Sequence, residues 1–275
     1  FIIKPCYNFL MGKISSQFVC QNCGAKYSKW AGHCSNCDAW NSIVEDLVVP
    51  ESTGKNAISQ AKTSGNILKF TKINEITVDN DKERLKTEFP GLNEVLGGGI
   101  LRGSVTLLAG QPGIGKSTIL MQICAEVAKH HHVLYVSGEE SASQVKMRAT
   151  RLGADSENLV FASSTSGNDI AKTISSGDFD LVIVDSIQTL AINEISSAPG
   201  TVSQITNAGN LIIQAAKTTD TAVIIVGHVT KEGTLAGPKV LEHLVDVVVN
   251  FEGDRYGGFK TIRAVKNRFG PTSEA

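Results

Sequence analysis

Residues 110–118 read GQPGIGKST, directly after the apolar run SVTLLAG (104–110) and at the head of the helical pattern IGKSTILMQICAEVAKH (114–130). Every fixed position of G-x-x-x-x-G-K-[ST] is met, and a strand before with a helix after is the context that gives this motif its meaning. Glycines let backbone N–H groups converge on the β- and γ-phosphates of a nucleotide, Lys116 adds a point charge, and the Ser117 hydroxyl is placed to ligate Mg²⁺. The nucleotide-binding set is therefore expected to be Gly110, Gln111, Pro112, Gly113, Ile114, Gly115, Lys116, Ser117 and Thr118.

Working outward, apolar and helical stretches alternate. VLYVSG (133–138), LVFAS (159–163), LVIVDS (181–186) and AVIIVGH (222–228) read as strands. ASQVKMRATRLG (142–153), NDIAKTISS (168–176) and VSQITNAGNLIIQAAKTT (202–219) read as helices between them. Near-continuous Val/Ile/Leu strands separated by amphipathic helices predict an α/β fold, a mainly parallel sheet with helices on both faces. The last two segments, VDVVVNFEG (245–253) and FKTIRAVKN (259–267), have no helix between them and predict an antiparallel hairpin at the sheet edge.

Two carboxylate positions stand out on this frame. Asp185 ends the strand LVIVD, where a carboxylate holds Mg²⁺ through water beside the phosphate loop; capping the next helix is the plainer role for such a residue. Glu139 and Glu140 follow VLYVSG at the carboxyl edge, where ligands of an α/β sheet bind. Glu139 is the expected catalytic base for an attacking water. Glu140 is either a second polarising group or a first-turn residue of the next helix, where negative charge is favourable. Lys116 and Asp185 complete the expected catalytic set, and Ser117 and Asp185 the magnesium set.

Upstream, Cys20, Cys23, Cys34 and Cys37 form C-x₂-C-x₁₀-C-x₂-C, two tight knuckles that each present a pair of thiolates to one tetrahedral ion. This spacing predicts zinc in preference to an iron–sulfur cluster, in a short module over 18–46 that has too little aliphatic content for a core of its own. With four sulfurs in the shell, His33 reads as a surface or supporting residue. Residues 47–66 are polar and without a sustained period and read as a linker, so the larger domain is expected over 67–275. Cys124 reads as a buried core residue and His130–His132 as the end of a helix.

Basic and acidic residues number 26 and 27, which excludes the whole-surface positive field of a histone-like binder, so any contact with nucleic acid must be local. No apolar run approaches the ~20 residues that span a bilayer, and cysteines grouped for a metal point to a reducing, cytoplasmic setting. The opening FIIKPCYNFL lacks the long apolar region of a signal peptide, and Met11 is the expected start of the mature chain.

These motifs occur together with KNRFG (266–270), YVSGEES (135–141) and VGHVTKEGTLAGPKVLEHLVDVVVNFEGD (226–254). In this order they resemble the bacterial RadA family of DNA repair proteins, also called Sms, within the RecA-like ATPases, and the likeness runs from Phe18 to the end. The resemblance implies a DNA-dependent ATPase that cleaves the β–γ phosphoanhydride of ATP, with Mg²⁺ and Zn²⁺ as cofactors. It implies recombinational repair: processing of intermediates and branch migration of RecA-mediated strand exchange. Its implied partners are single-stranded and branched DNA, RecA filaments and further copies of the chain in a hexameric ring, with no membrane.

The family's ATP site lies between subunits, so the resemblance gives Lys266 and Arg268 a role at the neighbour's γ-phosphate or in coupling it to DNA. A lysine and an arginine two apart on one strand face suit that role; a solvated edge strand is the plainer account. His228 and Lys231, at the start of the loop 229–239, become candidates for nucleotide sensing and DNA contact. A flexible basic loop touches phosphates without reading bases. The family continues into a Lon-protease-like domain, so a chain that ends at Ala275 is expected to be a fragment. The competing reading is a nucleotide switch that binds a protein through its zinc module without moving on DNA.

Overall fold

The computed structural model describes residues 15–20, 25–38, 40, 42–48, 72, 84–228, 240–253 and 258–272. Cys23, Lys231 and the loop 229–239 lie outside them. Contacts divide the chain into two units, Phe1–Val78 and Asp79–Ala275.

In the first unit β1 (Ser15–Cys20) is the centre of a three-stranded antiparallel sheet, between β2 (Lys26–Tyr27) and β3 (Ile43–Val48). Register pairs Cys20 with Ile43 and Ser15 with Val48. The module therefore starts before Phe18 and takes in Leu47 and Val48, because β1 and β3 zip together to their far ends. Among its described residues the buried side chains are Cys20, Cys34 and Ile43, with Phe18, Tyr27 and Ala31 packed against them. Two of these three are cysteines, so a metal held by them would add directly to the stability of this cluster.

The second unit runs α1 (Pro90–Val95), β4 (Val105–Gly110), α2 (Lys116–Val127), β5 (Val133–Ser137), α3 (Ala142–Arg151) and β6 (Leu159–Ser163). It continues with α4 (Gly167–Ile174), β7 (Leu181–Asp185), α5 (Val202–Thr219), β8 (Ala222–His228), α6 (Val240–Leu244), β9 (Val247–Gly253) and β10 (Lys260–Asn267). The strands form one sheet in the order β10-β9-β4-β8-β7-β5-β6, parallel throughout except for the antiparallel edge strand β10.

Both faces of the sheet are covered, and the pleat sorts the side chains between them. On one face Leu108, Tyr135, Ile183, Ile224 and Val249 pack with Leu120, Cys124 and Val127 of α2 and Val145 of α3. On the other, Leu107, Val136, Val182, Val184 and Ile225 pack with Ile170 of α4, Ile205 and Ile212 of α5 and Leu241 of α6. Strands buried on both sides are what a nearly unbroken apolar run requires.

α5 and β8 keep the bounds read from the sequence. α2 is shorter than its pattern: Gly115 sits at a left-handed φ of 111° and serves as N-cap, and the helix ends at Val127. His130–His132 thus fall beyond the helix instead of ending it. His132 donates its N–H to Asp180 at 2.9 Å. Cys124 is fully buried, and burial pushes its thiol pKa up, as expected of a core cysteine.

Candidate active site

The carboxyl ends of β4, β5, β7 and β8 lie side by side, with Gly110 opposite His228 and Ser137 opposite Asp185. Each strand hands its next residues into one cleft of about 350 Å³, walled by the phosphate loop, Ser137, Glu139, Glu140, Arg148, Asp185 and His228. β8 separates the strand before the phosphate loop from the strand ending in Asp185. The edge of the sheet thereby holds Lys116, Ser117, Glu139 and Asp185 on one rigid frame.

Glycine is required at Gly110 by space, since a Cβ there would stand 2.6 Å from the Phe251 carbonyl oxygen of β9. Lys116 is only 5% exposed and curls back over its own loop, donating to the carbonyl oxygens of Gly110 at 2.8 Å and Gln111 at 2.9 Å. Burial pushes its ammonium pKa down, while Asp185 and Glu139 pull it back up. An ammonium so placed gains when a phosphate replaces the two carbonyls as its partner.

Asp185 is buried and accepts two hydrogen bonds on Oδ2, from Ser117 Oγ at 2.9 Å and from Tyr135 Oη at 2.7 Å. Burial, then the Asp185 charge, pushes the Tyr135 phenol pKa up, so the tyrosine stays a donor. One hydroxyl and one carboxylate in contact are an oxygen pair that could hold Mg²⁺ beside bound phosphates. Asp185 caps nothing: the short 3₁₀ turn Ile187–Thr189 follows Ser186, and its N-cap makes no side-chain bond.

Glu139 Oε1 accepts from Ser186 Oγ at 2.6 Å and lies 3.4 Å from His228 Nε2. Its side chain is 45% exposed on the cleft, open to water, as a residue that activates water must be. Glu140 lines the same cleft but is not the first-turn residue of α3. Ser141 is the N-cap of α3, so Glu140 stands outside the first turn, and both of its oxygens pair with the Arg148 guanidinium. That ion pair forms part of the cleft wall.

Lys266 and Arg268 are far from this edge. β10 runs antiparallel to β9, so Lys260 is level with Gly253 and the phosphate loop, whereas Asn267 is level with Val247 at the opposite edge. Lys266 Nζ donates to the carbonyl oxygens of Glu242, His243 and Val245 at 2.8, 3.2 and 2.7 Å, closing the end of α6. Arg268 pairs with Asp246 Oδ1 at 3.0 Å. A bulge between Ala264 and Lys266 breaks the register, and Arg268 lies past the strand end, so the two cations do not share one strand face.

In the other unit the sulfurs of Cys20, Cys34 and Cys37 lie within 4.8 Å of one another, with Cys20 and Cys37 at 3.7 Å. Tetrahedral Zn–S bonds of ~2.3 Å set sulfurs about 3.8 Å apart, so these thiols fit zinc. His33 turns away to Asp38, at 3.3 Å, and to the ring of Trp40.

Tyr135, Arg148 and Ser186 were not legible as site residues. Each carries a polar tip on an otherwise apolar or helical stretch, and the only signal for them is strand adjacency, known once the sheet order is known.

Known proteins resemble both parts of the chain. An AAA domain family model matches residues 72–234, and a rubredoxin metal binding domain model matches 18–45. Curated relatives called DNA repair protein RadA are 46% identical over 265 residues in Halalkalibacterium halodurans and 44% identical over 265 residues in Bacillus subtilis. Each match takes in 96% of this chain but 57% of the relative, so the chain spans little more than half their length. A solved DnaB-like replicative helicase, studied with primase, superposes at a TM-score of 0.59 with 16% identity, over 72% of this chain and 60% of that one. At that identity the likeness is one of fold. No helix among the described residues is long and apolar enough to cross a membrane.

Proposed function

The chain belongs to the AAA-domain family, among the bacterial DNA repair proteins called RadA, and from that premise we propose that it is a DNA-dependent ATPase of recombinational repair. Lys116 and the loop backbone hold the β- and γ-phosphates of ATP. Ser117 and Asp185 hold Mg²⁺, which supplies charge neutralisation when bound. Glu139, steered by Ser186 and His228, orients and deprotonates the attacking water. The products are ADP and phosphate. The energy drives movement along single-stranded or branched DNA during RecA-mediated exchange, in the cytoplasm, with the four-cysteine module held by zinc.

One observation carries the motor reading over a simple nucleotide switch: among the described residues Lys116 is the one lysine lining the cleft, the cleft's Arg148 is paired with Glu140, and Lys266 and Arg268 stand at the other edge of the same sheet. They reach a γ-phosphate only if a second copy presents them, so hydrolysis is tied to a ring or file of subunits. Lys231, outside the described residues, and His228 at its base keep the proposed part of passing nucleotide state to DNA.

The test is ATP turnover with and without single-stranded DNA, on the chain and on Lys116→Ala. Several-fold stimulation by DNA, abolished in the variant, supports the motor. Equal rates with and without DNA would favour the switch that binds a protein through its zinc module.

A further inference from the structure

Lys260 opens β10 against the turn that begins α2. A Cβ built on Gly115 would stand 3.0 Å from Lys260 Nζ, so the ammonium rests on the bare face of that glycine. The side chain is exposed, and among the described residues it has neither a hydrogen bond nor an ion pair. An unpaired cation beside the first helical N–H groups repels that helix end, an arrangement that favours an anion between them.

What lies on the other side of Lys260 says which part of the anion it meets. Gly115 and Thr118 line the phosphate cleft and also a second, mainly apolar cleft of about 440 Å³ walled by Phe89, Leu92, Ile119, Phe251 and Ile262. Lys260 lines the second and not the first. A nucleotide with its terminal phosphates on Lys116 must leave the loop past the shared residues Gly115 and Thr118. The phosphate nearest the sugar is then the group beside Lys260.

We propose that Lys260 is a nucleotide-binding residue supplied in cis, whose ammonium holds the phosphate attached to the sugar while the apolar cleft receives the nucleoside. Lys116 and Mg²⁺ neutralise the two terminal phosphates, and Lys260 supplies the remaining charge. Gly115 is bare because its φ of 111° disfavours any side chain, and the amine occupies the space this leaves. The same strand that starts at its own subunit's nucleotide ends at Lys266, the residue proposed for a neighbour's, so β10 joins two sites mechanically.

The inference rests on the ATPase reading, and the experiment separates the two. Dissociation constants of fluorescent ADP and ATP analogues are measured on the chain, on Lys260→Ala, on Lys260→Arg and on Lys116→Ala. The expected result for Lys260→Ala is a loss of about fivefold, the scale of one water-exposed charge contact, and equal for ADP and ATP because both carry this phosphate. Lys260→Arg restores most of it. An unchanged affinity, or a loss confined to ATP, overturns the proposal. A chain that binds neither nucleotide overturns the ATPase reading and this inference with it. Because Lys260 is exposed and unpaired, its substitution leaves the melting temperature unmoved, which checks that the fold is intact.

Discussion

Ser117 Oγ donates to Asp185 Oδ2 at 2.9 Å, tying the first turn of α2 to the end of β7 across the strand β8 that separates their sheet positions. Tyr135 donates to the same oxygen at 2.7 Å. The carboxylate is thus held by two hydroxyls from two elements, and only one of them is free to change partner when a metal arrives. Ser117, only partly buried, is the hydroxyl that would turn toward a bound ion; Tyr135, buried, would keep Asp185 aimed.

Tyr135→Phe therefore separates aim from ligation. It removes one buried hydrogen bond, at a cost of about 1–2 kcal/mol in stability. The expected signature is a several-fold higher Mg²⁺ requirement with little change in ATP affinity measured without metal. Ser117→Ala abolishes most turnover at any Mg²⁺ concentration. Calorimetric titration of Mg²⁺ into the nucleotide complex checks the first, and identical Mg²⁺ affinity in the variant would remove Tyr135 from the site.

The adjacent glutamates are expected to behave oppositely. Glu139→Gln leaves ATP binding intact and lowers turnover by about 10²–10⁴-fold, the range of a lost general base. Glu140→Gln loses its pairing with Arg148 in the cleft wall, and lowers the melting temperature with a turnover loss of less than about tenfold. Single-turnover kinetics and thermal melts on the two variants distinguish base from brace. A reversal of the two outcomes would exchange their roles.

That difference also shows what the sequence could and could not carry. The phosphate loop, the strand order class and the bounds of α5 and β8 were legible because each depends on contiguous residues and a local period. Glu139 and Glu140 look alike in sequence; only the turn of chain that brings Arg148 back from α3 tells them apart. Lys266 and Arg268 looked like one strand face because a two-residue spacing assumes an unbroken ladder. The bulge after Ala264 and the end of β10 at Asn267 undo that assumption. Tyr135 read as one more apolar strand residue because its hydroxyl finds Asp185 only once β5 is laid beside β7.

Stability should depend on pH through Asp180. Burial pushes its carboxyl pKa up, but the His132 N–H and the Arg102 guanidinium at 2.6 Å pull it further down, leaving it below the ordinary value. A depressed carboxylate stabilises the fold above its unfolded value and loses that contribution as pH falls through its folded value. Arg102→Ala is therefore expected to cost about 1 kcal/mol at pH 7, with a smaller gap below about pH 3.9. Urea melts across pH 3–7 measure it. A gap that held constant to the acid limit would show that Arg102 acts by packing alone.

Zinc should matter only to the first unit's own fold. Its buried cluster is small, and two of the buried residues, Cys20 and Cys34, are themselves candidate ligands, so removing the ion removes much of the core as well. Chelation, or Cys34→Ser, is expected to expose residues 15–48 to protease. The second unit has apolar clusters on both faces of its sheet and should keep its melting temperature within about 2 °C. Metal analysis should give about one zinc per chain, lost in Cys34→Ser. Cys34→Ala is the control for the thiol's contact with Tyr27 Oη at 3.1 Å: serine can keep that hydrogen bond and alanine cannot, so an equal loss of structure in the two variants assigns it to zinc. Protease resistance that persisted in the metal-free chain would mean that packing holds the module, and the four-cysteine zinc assignment would have to be abandoned.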